Sequence, residues 1–216
     1  MKNKKYDLVL FDMDGTLINS DPMLLETFHT LYDLYKNGEQ KEDKEILKFS
    51  GPPIRDTLKK EFPDREIEEM FKEFSRISSK LYDTQIYLYP DTIEVLKDLK
   101  SHGCKLGVIT NKMHNMTMVA LNNLKLTPYF DVVVGYDDVK VGKPDPEGIN
   151  KAITLLGSEN AIYLGDNDID LISASNAHID SILVHFSPRE VAHPELATYE
   201  VNSYRELGEV IYGKNI

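Results

Sequence analysis

The chain has 216 residues, 41% of them hydrophobic and 28% charged, with a formal net charge of -11. That composition belongs to a globular protein able to bury a sizeable core, and the length allows one domain or one domain carrying an insertion. The acidic excess argues against nucleic acid or an anionic membrane as partner, since both are bound through clustered positive charge. No apolar run approaches a membrane span, and the first apolar run, four residues long, is too short for the core of a signal peptide, so a cytoplasmic location is expected.

Taken in chain order, Leu8-Val9-Leu10-Phe11 is a short apolar run that predicts a buried strand, with Asp12 emerging at its carboxyl end. Ligands of open parallel sheets bind at that end. The segment Asp12-Met13-Asp14-Gly15-Thr16-Leu17 also reads as a turn, and Asp-x-Asp-Gly opens some calcium loops. A calcium loop needs further oxygen ligands, whereas Thr16, Leu17 and Ile18 come next.

Residues 17–87 contain no convincing strand, many Glu and Lys, and apolar spacing suited to helices. Phe71, Phe74, Ile77 and Leu81 recur every three or four residues, the core face of a helix over about 64–83. Tyr87-Leu88-Tyr89-Pro90 reads as a return hinge. The expected division is therefore a sheet domain of residues 1–16 and 88–216 with a helical insertion of residues 17–87.

Beyond the hinge, a helix over about 92–102 is followed by Gly103 as a stop signal, and Cys104 is expected to be half-buried beside a strand. Apolar runs at 106–110, 132–135, 162–165 and 181–185 alternate with helical patterns, and Asp145-Pro146-Glu147 opens one of those helices. Repeated strand then helix predicts an α/β fold with a doubly wound, Rossmann-like parallel sheet. Three of these strand ends carry polar groups: Thr110-Asn111-Lys112, Lys143-Pro144 after a loop, and Gly165-Asp166-Asn167-Asp168-Ile169-Asp170. Asn111 has two open roles, capping the next helix or touching a ligand. Asp166 and Asp170, spaced i,i+4, would repel by about 0.2 to 0.5 kcal/mol if both sat on a helix. The six histidines show no metal-like pairing, so zinc is not expected.

The ordered set Asp-x-Asp-Gly-Thr, Thr-Asn, Gly-Lys-Pro and Gly-Asp-x-x-x-Asp, spanning residues 12 to 170, resembles the haloacid dehalogenase superfamily of phosphatases. The resemblance implies that Asp12 is a nucleophile forming an aspartyl-phosphate, and that Asp14 is the acid, then the base. It implies Mg²⁺ as cofactor, held by the Asp12 side chain, the Asp14 backbone carbonyl and Asp166, with Asp170 acting through water or by orienting other ligands. Such a cation would also relieve the repulsion between these carboxylates and a phosphate dianion. Lys143 would add positive charge, and the Thr110 hydroxyl would hold phosphoryl oxygens. The dehalogenase branch lacks an Asp two residues after its nucleophile, so carbon–halogen chemistry is not expected. His178 stands where related sequences have Gly, and Asn167 where Ser or Thr is commoner.

The helical insertion resembles the family's small mobile cap. Its Ser50-Gly51-Pro52-Pro53-Ile54-Arg55-Asp56 segment resembles the cap loop of phosphoglycolate phosphatases and related pyrophosphatases. There Gly51 would let the backbone approach a ligand and Arg55 would meet a second anionic group, the other reading being a turn between helices. The implied activity is Mg²⁺-dependent hydrolysis of a small phosphorylated metabolite, most similar to the phosphoglycolate phosphatase branch. A β-phosphoglucomutase-like mutase, an inorganic pyrophosphatase, a phospho-receiver domain and an inactive binding module are the alternatives.

Overall fold

The computed structural model describes residues 5–158 and 160–213. The chain begins with β1 (Leu8–Phe11), then β2 (Ile18–Asn19), α1 (Asp21–Tyr35), α2 (Asp43–Leu47), α3 (Ile54–Glu61), α4 (Ile67–Leu81) and β3 (Tyr87–Leu88). It continues through α5 (Thr92–Ser101), β4 (Lys105–Ile109), α6 (His114–Asn123), β5 (Val132–Val134), α7 (Glu147–Leu156) and β6 (Ala161–Gly165). The last elements are α8 (Asp168–Asn176), β7 (Asp180–Val184), β8 (Tyr199–Val201) and α9 (Leu207–Tyr212).

Six strands form one parallel sheet in the order β5-β4-β1-β6-β7-β8. β1 is central and covered on both faces, which is why its residues are uniformly apolar rather than alternating. Val9 and Phe11 point into a core shared with α5, α6 and α9, and Leu8 and Leu10 into one shared with α7 and α8. The strand order reverses at β1, the place where such sheets form a ligand crevice. Phe11 pairs in register with Val108 of β4 and Leu164 of β6, so Asp12, Thr110 and Asp166 leave the sheet at one edge.

Helices α1 to α4 enclose a separate apolar cluster that includes Leu24, Phe28, Leu31, Ile46, Leu58, Met70 and Ile77. Phe71, Phe74 and Leu81 pack against it, the stripe seen in the sequence. The chain enters and leaves these helices through the antiparallel pair Ile18↔Leu88 and Asn19↔Tyr87. Each of these two strands has two residues, too few for a periodic pattern. Strand β8, Tyr199–Val201, also escapes the sequence reading, because Glu200 breaks its apolar run.

Cys104 is buried rather than half-buried. His178 has φ 57, the left-handed region that favours Gly, so its departure from the family pattern is accommodated at some conformational cost. Among the described residues no helix is long and apolar enough to cross a membrane.

Candidate active site

At the carboxyl edge of β1 the Asp12 carboxylate is buried, and Lys143 Nζ donates to its Oδ1 at 2.7 Å. The same ammonium donates to Asp170 Oδ1 at 2.6 Å and to the Tyr163 hydroxyl at 2.9 Å, so all three of its protons are used. Tyr163, on β6, in turn donates to the Ile109 carbonyl at 2.9 Å. Burial pushes the Asp12 carboxyl up to about 8, with Lys143 opposing and Asp170 and Asp166 adding to the shift. Lys143 is destabilised as a cation by burial, yet Asp12 and Asp170 outweigh this and raise it above its ordinary value.

Asp166 follows β6 and is equally buried; burial lifts its carboxyl to about 6, against the pull of Arg189. Arg189 Nη1 donates to Asp166 Oδ2 at 2.7 Å, and Nη2 donates to Asp21 Oδ1 at the start of α1. The loop carrying Arg189 is itself tied down, because the backbone N–H groups of Ala192 and His193 donate to Asp168 at 2.9 and 2.7 Å. Carboxylate oxygens of Asp12, Asp166 and Asp170 lie within 4.8 Å of one another, the one such metal-ligating cluster among the described residues. Gly15, at φ +88, brings the main chain beside this cluster: a Cβ there would lie 2.0 Å from Asp166 Oδ2.

Two corrections follow. Asp166 lies before α8, not on it: Asn167 is the N-cap and Asp170 Oδ2 accepts its backbone N–H at 3.1 Å. The two are therefore not an i,i+4 pair on one helix, although the Asp170 charge still acts to raise the Asp166 carboxyl, and Asp170 serves the helix start. Asn111 does not cap the next helix, whose N-cap position is Met113.

Asp14 occupies the opposite wall. Lys112 Nζ donates to both of its carboxylate oxygens at 2.8 Å, and Ser20 Oγ donates to Oδ1 at 2.5 Å. Ser20 holds the N-cap position of α1 but gives its hydroxyl to Asp14 rather than to the helix. Burial would raise the Asp14 carboxyl, but the Lys112 charge and the bonds from Lys112 and Ser20 prevail and hold it below the ordinary carboxylate value. Two carboxylates two residues apart, Asp12 buried and Asp14 half-buried, are thus shifted in opposite directions.

The helical insertion closes over this edge. A cleft of about 740 Å³, counting the space open to solvent, is lined by Asp12, Asp14, Thr110, Asn111 and Lys112 below and by Ser50 and Gly51 above. Asn111 Nδ2 donates to the carbonyls of Gly51 and Lys143, both at 3.0 Å, and Asn167 Nδ2 to the Ser50 carbonyl at 3.3 Å. Gly51 has φ +107, and a Cβ there would come within 2.8 Å of Asn167 Nδ2, so the residue meets both the turn and the close approach. The Thr110 hydroxyl borders the cleft and accepts the Lys112 backbone N–H at 3.2 Å.

Arg55 is placed elsewhere. Its guanidinium pairs with the exposed Glu68 and stacks 4.0 Å from the Phe71 ring centroid, and it does not line the cleft. Arg189, Ser20 and Tyr163 are the residues that the sequence reading missed; it placed Lys112 at a strand end beside Thr110 and Asn111 without giving it a role. Arg189 lies four residues past the run at 181–185, and no local pattern marks it.

The fold and the site define a doubly wound α/β hydrolase. The chain belongs to the haloacid dehalogenase-like hydrolases, whose family model matches residues 9–184. It is 36% identical over 194 residues, 88% of each chain, to the pyrophosphatase PpaX of Bacillus cereus. Among solved structures it superposes with a TM-score of 0.84 on a protein described as a haloacid dehalogenase-like hydrolase from Bacteroides fragilis, at 25% identity, covering 95% of this chain and 100% of that one. A predicted phosphatase from Clostridium acetobutylicum gives a TM-score of 0.80 at 27% identity, covering 95% and 97%. As a hydrolase, the chain is neither a receiver domain nor an inactive binding module.

Proposed function

We propose that the protein hydrolyses a small phosphorylated metabolite by a Mg²⁺-dependent route through an aspartyl-phosphate on Asp12. The observation that carries this reading is the buried cluster of Asp12, Asp166 and Asp170, bordered by Lys143 and opening on a cleft whose other wall is Asp14 with Lys112. Three buried carboxylates converging without a histidine or thiol among them are the donor set of a hard divalent cation. Asp12 and Asp166, with the Asp14 carbonyl, are the residues that would hold it, and Asp170, already serving Lys143 and the helix start, would position them. Bound there, Mg²⁺ would supply the positive charge that keeps the nucleophile ionised against burial and draws in the phosphate.

In the first step an Asp12 oxygen attacks phosphorus, the bond to the leaving oxygen breaks, and Asp14 gives that oxygen a proton. In the second step Asp14 takes a proton from water as the water attacks phosphorus, releasing inorganic phosphate and restoring Asp12. Lys112 fits both steps because it is shared. Alone with Asp14 it favours the carboxylate, the form needed as base. An incoming phosphate dianion competes for the same ammonium and so favours the acid form needed first. Lys143 holds Asp12 in line, while the Thr110 hydroxyl supplies a donor for phosphoryl oxygens.

Pyrophosphate is the second reading of the substrate, favoured by the name of the relatives at 36% identity. Phosphate release measured with and without chelator tests the main reading. Activity should vanish with chelator and return with Mg²⁺, and Asp12→Asn should lose several powers of ten with an unchanged circular dichroism spectrum. Asp12→Asn retaining more than about one percent of the parent rate would overturn the nucleophile, and full activity after exhaustive chelation would overturn the cation.

A further inference from the structure

Away from its polar floor, the cleft is walled mostly by carbon, with Ser50, Ser75 and Tyr82 the polar residues among that lining. Met23 and Leu24 of α1, Phe49 after α2, and Phe71 and Phe74 of α4 line the cap side, and Met116 of α6 lines the core side. Phe49, Phe71 and Phe74 line the cleft and are only half-buried, so they leave apolar surface uncovered. Covering such surface is favourable, and a converging apolar wall next to a few polar groups marks a binding site.

The charges point the same way. Among the described residues lining the cleft Lys112 is the one cation, and its ammonium is already held by both oxygens of Asp14. Arg55, the cation of the cap loop, is engaged by Glu68 and Phe71 outside the cleft. A second anionic group reaching the cap side would therefore meet phenylalanine and methionine and no cation among the residues that line it there, which is unfavourable for a charge.

We infer that the substrate is a phosphate monoester whose alcohol portion is apolar, an alkyl or aryl group long enough to reach the cap phenylalanines, rather than pyrophosphate or a phosphorylated acid. This rests on the phosphatase reading above and names the substrate class of the same site. The ester oxygen lies at the polar floor, where Asp14 protonates it. The released alcohol keeps the carbon wall covered until the cap opens.

The test is a chain-length series on the Mg²⁺-supplied protein: ethyl, butyl and hexyl phosphate, with phenyl phosphate, phosphoglycolate and pyrophosphate beside them. kcat/KM should rise about fourfold per added methylene, equivalent to about 0.8 kcal/mol each, and hexyl phosphate should exceed phosphoglycolate and pyrophosphate. Phe74→Ser should flatten the ratio of hexyl to ethyl ester. Calorimetric binding of ethyl- and hexylphosphonate to the parent protein reads the wall without turnover and without a variant. A flat series with measurable turnover, or preference for either doubly anionic substrate, overturns the inference and leaves the phosphatase reading standing. Absence of all phosphate release sinks the phosphatase reading alone if hexylphosphonate still binds more tightly than ethylphosphonate, and equal affinity of the two phosphonates sinks the inference.

Discussion

The side-chain amide of Asn111 donates to the backbone carbonyl of Gly51 at 3.0 Å, joining the sheet edge to the cap loop across the mouth of the cleft. The second amide proton goes to the Lys143 carbonyl, also at 3.0 Å, so one side chain registers the cap against the segment that holds Asp12. The cap loop and the segment of Lys143 thus share a fastening.

Asn111→Ala should lower kcat/KM by about tenfold or more, because two carbonyls lose their donor, at about 1 to 3 kcal/mol for groups left without a partner. Asn111→Asp, which keeps the shape but offers no N–H, should lose as much. Steady-state kinetics on the two variants checks this, and a kcat/KM within twofold of the parent for either would show that the fastening has no bearing on turnover.

Lys143 pairs with two buried carboxylates at once, so its loss should be felt in stability as well as in rate. Lys143→Met should destabilise the protein by about 3 to 5 kcal/mol in urea unfolding at neutral pH, since breaking a buried pair strands a charge. Lys143→Arg should not rescue it, because a planar fork does not reproduce three contacts made from one nitrogen. The diagnostic variant is the double one: Asp12→Asn placed in the Lys143→Met background should recover part of the lost stability. A double variant less stable than Lys143→Met alone would count against stranded charge as the cause.

The central strand and the carboxylates were legible in the sequence because both signals are local. Leu8 to Phe11 is apolar without a break, and Asp12 and Asp14 follow at once, so strand end and chemistry are read together. The same holds for Asp166 and Asp170 after β6. The cations were harder, since Arg189 reaches Asp166 and Asp21 from a loop tied down by Asp168, and nothing in its neighbours announces that path. Arg55 shows the converse. Its place beside Gly51-Pro52-Pro53 suggests the cleft, but α3 turns it toward Glu68 at the start of α4, a choice made by helix packing that local spacing does not encode.

Arg55 and Lys112 can therefore be set against each other. Arg55→Ala should change kcat/KM by less than about twofold and stability by at most about 1 kcal/mol, the scale of an exposed ion pair. Lys112→Met should reduce kcat/KM by at least about a hundredfold, since in the proposed mechanism Asp14 and the incoming phosphate both lose their cation. Kinetics on a single monoester decides between them. A large loss in Arg55→Ala with a small one in Lys112→Met would mean that the cap, not the sheet edge, supplies the positive charge for phosphate.

The turn after β5 offers a pH test away from the proposed metal ligands. Asp138 Oδ2 accepts the Gly135 N–H at 2.8 Å and pairs with His114 at the start of α6, and the Tyr136 N–H donates to the Lys112 carbonyl at 2.9 Å. The turn therefore braces the loop that presents Lys112. Burial would raise the Asp138 carboxyl, but the Gly135 N–H and His114 outweigh it and lower it from 3.8. With the folded value depressed, the unfolded chain binds more protons in that window, so stability rises with pH there. The contribution is present above 3.8 and is lost as pH falls through the folded value. Asp138→Asn should accordingly cost about 1 kcal/mol above about pH 5, and the gap to the parent should close as the pH is lowered toward 3. Urea unfolding of both proteins across that range is the measurement; a gap that stays constant to about pH 3, or widens on acidification, would show that the Asp138 charge does not support the turn.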